Sequence, residues 1–219
     1  MPSISSLLLS ALAVAAPIFA VDTPVNATLN KEIKTAPTEL SKLDLVRDDY
    51  AFDFTQSEKY SYSPGGVVNA NAATFPASTG HGMTVAWLAL GPCAMLPPHF
   101  HPRADNFVVA VEGNTTTYMV QENGAKIVTS NLTPGKLTIF PQGSVHSMQN
   151  NGCTNATLIS ALNSDDTGTT NLLNALYQLP GDIVDAAFGT NSTSNGGSVP
   201  DVGTGAAVGS AECRARCGL

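Results

Sequence analysis

From about residue 52 to residue 162 the chain is written in short β-type runs separated by turn residues. That rhythm constrains the fold more than any other feature. The runs are Met83–Leu90, Phe107–Glu112, Thr115–Gln121, Ala125–Thr129, Lys136–Phe140 and Ala156–Leu162. Between two of them lies Asn123-Gly124, whose residues tolerate positive φ and so favour a tight hairpin; Pro134-Gly135 marks another turn. Many short strands at close spacing bury their apolar faces only by closing into a sandwich or barrel. The sequence has no internal repeat, so one barrel is expected rather than two.

The flanks read differently. Residues 21–50 carry mixed charge around weak apolar spacing (Leu40, Leu43, Leu45, Val46), an arm with one helical turn. The barrel domain with its C-terminal helices is expected over 51–189. Leu172, Leu173, Leu176 and Tyr177 fall at helical spacing, and Pro180 opens a second helix with Ile183, Val184, Ala187 and Phe188, which Gly189 stops. Residues 190–210 are rich in Gly, Ser and Thr and read as a flexible linker. A tail with Cys213 and Cys217 completes the segment 190–219.

Residues 1–20 hold an uncharged apolar stretch, Ile4 to Ala20, broken by Pro17 and ending in a small residue. This predicts a secretory signal peptide cleaved after Ala20, with Ala13-Val14-Ala15 an earlier alternative and a buried helix the competing reading. Two features agree with export to an extracellular or cell-wall location. Sequons begin at Asn26, Asn114, Asn131, Asn155 and Asn191, and the four cysteines are an even count suited to an oxidising compartment. With 10 basic against 17 acidic residues the net charge is −7, the wrong sign for a nucleic-acid partner or an anionic membrane surface.

Three of the four histidines fall in two dense segments, PPHFHPRADNFVVAVEG at 97–113 and GKLTIFPQGSVHSMQN at 135–150. On an extended strand alternate side chains share a face, so His99 and His101 point the same way about 6.6 Å apart. A third imidazole from a neighbouring strand, His146, would complete a facial set of nitrogen ligands for a divalent metal ion.

With these segments the chain resembles the cupin superfamily, in particular its germin-like branch and the secreted spherulins. The first motif of that family, G-x5-H-x-H-x(3,4)-E-x6-G, is matched by His99, His101 and Gly113, with Cys93 at the first glycine position. The second, G-x5-P-x-G-x2-H-x3-N, is matched at every fixed position by Gly135, Pro141, Gly143, His146 and Asn150. The segments HPRA at 101–104, ATFPA at 73–77 and LPGDIVDAAFG at 179–189 extend the likeness. It implies an all-β fold, a single jelly-roll-like cupin β-barrel with a C-terminal helical pair. It also implies a metal, manganese, inside one end of the barrel, and a homo-oligomer clasped by those helices. It suggests a Cys93–Cys153 disulfide, which leaves Cys213 and Cys217 to pair with each other or with another chain.

One departure matters. The family's site has three histidines and a glutamate, and the glutamate position is Asn106. Asp105 is one residue off and faces the other way unless the strand bulges, while Glu112 has the right parity but lies about 20 Å along an extended strand. With an amide the metal and its ligands carry +2 rather than +1, which disfavours manganese against zinc, copper or nickel. The resemblance implies oxalate oxidase- or superoxide dismutase-like chemistry on a small carboxylate or similar ligand. It equally suits a non-catalytic wall-associated protein, or a sugar-binding one, since one fold hosts many functions. Elsewhere the bland reading is preferred. His81 is taken as a loop residue, Trp87 as core, Cys93 as structural, and Asp48-Asp49 and Asp165-Asp166 as solvated pairs.

Overall fold

The computed structural model describes residues 22–189 and 205–219. The expected signal peptide, Asn191 and most of the expected linker lie outside the described residues. Eleven strands are present among the described residues: β1 Gly65–Ala70, β2 Thr84–Leu90, β3 Ala94–Phe100, β4 Asn106–Glu112, β5 Thr115–Val120, β6 Val128–Leu132, β7 Leu137–Phe140, β8 Val145–Asn150, β9 Ala156–Leu162, β10 Thr170–Asn171 and β11 Ala207–Val208. They form two antiparallel sheets, β1-β2-β9-β4-β7 and β10-β3-β8-β5-β6, with β11 also paired to β3. This is the expected jelly-roll barrel. Its core is the alternate residues of facing strands, among them Leu88, Leu90, Leu96, Val108, Phe140, Met148 and Leu158. Each such buried aliphatic or aromatic side chain contributes about 1.5–3 kcal/mol.

The alternation also sets the outward face. Trp87 sits between inward Ala86 and Leu88, so it points out of β2 and not into the core as expected. There the rings of Phe54 and Tyr60 cover it, at 6.0 and 6.2 Å. Further along the same sheet Phe107, Leu137 and Ile139 remain exposed.

β3 breaks the rule of two at one place. Leu96 pairs with Met148 and His99 with His146, so three steps on β3 match two on β8. The extra residue lies at Pro97-Pro98, which have no N–H to give the ladder, and the bulge there turns both Leu96 and His99 inward. The expected hairpin at Asn123-Gly124 is looser than a two-residue turn. β6 starts at Val128, in the register that buries Leu132 opposite Thr115, and Gly124 (φ +89°) turns the chain within the longer loop.

The N-terminal arm is more ordered than expected. α1 (Ala27–Thr35) is capped by the Asn26 side chain accepting from Leu29 N–H, and α2 (Glu39–Val46) by Thr38 accepting from Ser41 N–H. Ile33 and Val46 bury against Ala77 and Phe75, a satellite core beneath the two helices. The expected C-terminal helical pair is α3 (Leu172–Leu176) and α4 (Gly181–Phe188), closed by Gly189 at φ +66°. Val184 of α4 is buried while Ile183 and Phe188 are exposed.

The tail requires the largest correction. Residues 205–210 are not linker: β11 pairs with β3, the Gly209 N–H donates to Cys93 O, and Ser210 caps α5 (Ala211–Cys217). Cys93 pairs with Cys213, and Cys153 with Cys217, so the expected Cys93–Cys153 bond is absent. The reason is geometric. Cys213 and Cys217 are four residues apart on one helix face, and β11 lays that face across the two motif-flanking cysteines. Cys93 is also the one non-glycine among the described residues with positive φ, +55°, at the position where the motif carries glycine.

Candidate metal centre

His99 near the end of β3, His101 just beyond it and His146 on β8 meet at one end of the barrel. Their ring centroids lie 4.3 Å (His99–His146) and 5.3 Å (His101 to each of the others) apart. One nitrogen from each ring falls within 4.8 Å of the other two. The bulge in β3 brings the first ring into register with the third, and Phe140 stacks flat on His146 at 4.2 Å. The turn after β7 also holds the site, through Gly143 N–H donating to His101 O. Gly143 takes φ +76°, which suits glycine.

The tautomers follow from the hydrogen bonds. His99 Nδ1 faces Pro97 O at 2.7 Å, His101 Nδ1 faces Gly168 O at 2.8 Å, and His146 Nδ1 faces Ser144 O at 2.9 Å. A carbonyl only accepts, so each Nδ1 carries the proton and each Nε2 keeps its lone pair. His146 Nε2 is buried with no hydrogen-bond partner, a cost that a bound cation removes. Burial, reinforced by the neighbouring rings, lowers the His99 pKa to about 4 and that of His146 to about 2, and burial also lowers His101. The three are therefore neutral ligands at physiological pH. Three convergent, oriented, unprotonated imidazoles suit a divalent first-row ion.

Asn106, the first residue of β4, is buried and does reach this site. Its Nδ2 lies 3.4 Å from His101 Nε2, while its Oδ1 accepts from the Ser160 hydroxyl on β9. The carboxamide thus offers its nitrogen, which has no free lone pair, to the histidines. Because a hydroxyl accepts as readily as it donates, a flip of the amide keeps the Ser160 bond and turns the oxygen inward. Asp105 points away, as its parity requires. Its carboxylate accepts from Gln142 N–H and from Asn163 Nδ2, both at 2.9 Å, so it braces the turn that holds His101. Glu112 is exposed at the far end of β4.

Sequence reasoning missed Ser160, although a serine at an inward position of the apolar run ATLISAL was a usable signal. It also missed Gly168, whose carbonyl orients His101 across 67 residues and carries no local signature. His81 is exposed, as are Asp48 and Asp49, while Asp166 pairs with Arg103. Asn26, Asn114, Asn131 and Asn155 are all exposed. Asn150, the last fixed residue of the second motif, is structural: its Nδ2 donates to the carbonyls of Leu90, Gly91 and Thr154.

The lowered histidine pKa values fix a sign for stability. As pH falls from 6.5, the ordinary histidine value, toward 4, the unfolded chain binds protons that buried His99 and His146 refuse. The metal-free protein therefore loses stability across that window. Urea midpoints against pH will show a drop that is smaller in His146→Leu; equal slopes in the two proteins would mean the rings are hydrated.

A small cavity of about 80 Å³ opens beside the rings, lined by His99, His101, Asn106, Ser160, Leu96 and Met148 among others. A family model described as cupin matches residues 53–195. Spherulin-1A of Physarum polycephalum is 31% identical over 195 residues, covering 86% of this chain and 78% of that protein. Germin-like protein 1-1 of Oryza sativa subsp. japonica is 30% identical over 187 residues, covering 81% and 86%. Among solved structures, a recombinant oxalate oxidase in complex with glycolate aligns with TM-score 0.58, over 68% of this chain and 81% of that one, at 20% identity, a likeness of fold.

Proposed function

The chain belongs to the cupin superfamily, in its germin- and spherulin-like branch, and on that premise we propose that it is a secreted metal-binding protein acting on a small oxygen-rich anion. One divalent first-row ion is held by the Nε2 atoms of His99, His101 and His146. The observation that carries this reading is the set of three Nδ1–H···O=C bonds, which aim three lone pairs at one place. Two disulfides and the apolar leader support export.

When bound, the ion supplies Lewis acidity, and redox chemistry if it is manganese or iron. The chain's residues do the rest. The histidines stay neutral and fixed, Phe140 holds the His146 ring, and Ser160 orients the Asn106 amide. The cavity beside the rings, about 80 Å³, suits a small ligand of a few heavy atoms. Oxalate, for which peroxide release would report oxidation, is the substrate to try first.

One observation favours a second reading, a non-catalytic wall-associated cupin. The position that resembles the family's glutamate carries a carboxamide whose nitrogen faces His101. Metal analysis of the purified protein, paired with an oxalate–peroxide assay, separates the two. About one metal per chain with peroxide release supports the oxidase. Metal without turnover supports the second reading, and protein that stays empty in the presence of divalent ions overturns the metal site. Asn106→Asp, which alters no volume, places an anionic oxygen beside His101 and should tighten manganese binding by roughly 10–100-fold. Competition with a manganese chelator reads this directly, and unchanged affinity would place position 106 outside the coordination sphere.

A further inference from the structure

Beside the histidine cavity lies a larger outer cavity of about 780 Å³. Asp22, Asn69, Thr167 and Thr169 line both, so they form the partition between them. The Asp22 carboxylate is held within that partition. It ion-pairs with Lys59 Nζ at 2.8 Å and accepts from Asn69 Nδ2 and Asn71 Nδ2, each at 2.7 Å. Its side chain is only 13% exposed.

These three donors come from separate places, one before β1, one on it and one just after it. Asn71 is itself fixed, because its Oδ1 accepts from the backbone N–H groups of Ala73 and Thr74. An ammonium and two amide N–H groups converging on one carboxylate make a binding site for that group. The field around it has the matching sign. Four basic residues (Lys31, Lys34, Lys59 and Arg103) and three acidic ones (Asp22, Asp165 and Asp166) line the two cavities, so with Asp22 displaced the lining keeps a positive excess. Arg103 is paired with Asp166, whereas Lys31 and Lys34 edge the outer cavity and would draw an anion in.

We propose that Lys59, Asn69 and Asn71 form a carboxylate-binding cradle which the chain's own Asp22 occupies, so that the N-terminal strap bars the passage to the histidine cavity until a free small carboxylate displaces it. The strap is built to leave. Among the described residues, the strap between Asp22 and α1 is fastened through its backbone by one hydrogen bond, from Val25 N–H to Ala73 O at 2.9 Å, and Val25 is exposed. Cleavage at the expected site after Ala20 would make Asp22 the second residue of the mature chain. A carboxylate so tethered competes at an effective concentration of about a millimolar or more. Free carboxylates therefore enter only when abundant, and each that docks stands at the mouth of the histidine site. The cradle itself needs no metal.

The test uses malonate as probe and calorimetry as readout. Asp22→Ala should bind malonate roughly tenfold more tightly than the wild type, as loss of a tethered competitor requires, and Asp22→Ala/Lys59→Met should lose that binding. In the wild type, malonate should shift the side-chain amide resonances of Asn69 and Asn71, a readout that survives even if Asp22→Ala fails to fold. Binding at the histidines instead would be lost in His146→Leu and untouched by Lys59→Met, so failure of the metal reading and failure of the cradle give different patterns. Equal affinity in folded wild type and Asp22→Ala, or wild-type amides that do not move under saturating malonate, would overturn the proposal.

Discussion

In His146→Leu, metal content falls to background while the metal-free protein becomes more stable than the metal-free wild type, by about 1–3 kcal/mol. The two effects have one cause. His146 Nε2 is buried without a partner, and burial keeps the ring neutral. Without a cation the fold carries an unsatisfied polar atom, which leucine deletes while keeping an apolar surface against Phe140. With a cation the same atom is a ligand, and its loss leaves two imidazoles, too few for tight binding. Opposite signs in the two measurements mark a group kept for function at the expense of stability. Metal analysis and chemical denaturation of chelator-treated protein provide them. If the variant is instead destabilised, the imidazole serves packing and the centre is not a ligand set.

The second large effect lies at the other end of the chain. The bridges Cys93–Cys213 and Cys153–Cys217 span 120 and 64 residues. Their order along the sequence interleaves, so closing one shortens the path of the other. Removing Cys153–Cys217 as a serine pair should cost about 2–4 kcal/mol, and removing both more than either alone. Denaturant midpoints at constant slope test this. Cys93 adds an internal control, because its φ of +55° penalises any side chain. With Cys213 replaced by alanine, Cys93→Gly should be more stable than Cys93→Ala by about 1–2 kcal/mol. Equal stability would mean that the backbone relaxes once the bridge is gone.

The barrel and its histidines were legible because they are written locally. β9 could be read to the residue from ATLISAL, and the two motifs hold His99, His101 and His146 within turns set by Gly and Pro. Other elements hide for physical reasons. β3 contains Pro97-Pro98, which ordinarily argues against a strand, and only its pairing with β8 reveals the bulge. The tail lacks periodicity between 205 and 210, and its order comes from hydrogen bonds to Cys93 and Gln149, far away in sequence. The pairing of four cysteines admits three patterns, and sequence alone does not choose among them. Asp22 and Lys59 are 37 residues apart, with nothing in either neighbourhood to announce the other.

Two covalent staples one helical turn apart fix α5 in rotation as well as in place. The connection between Gly189 and Gly205 is thereby relieved of any duty to hold the tail. A protease that cut within it would yield a two-chain molecule of unchanged mass but for one water, with its last helix still seated on the barrel. On a gel the break would be invisible until reductant was added. Either staple alone would keep the helix attached after such a cut, and only loss of both would release it.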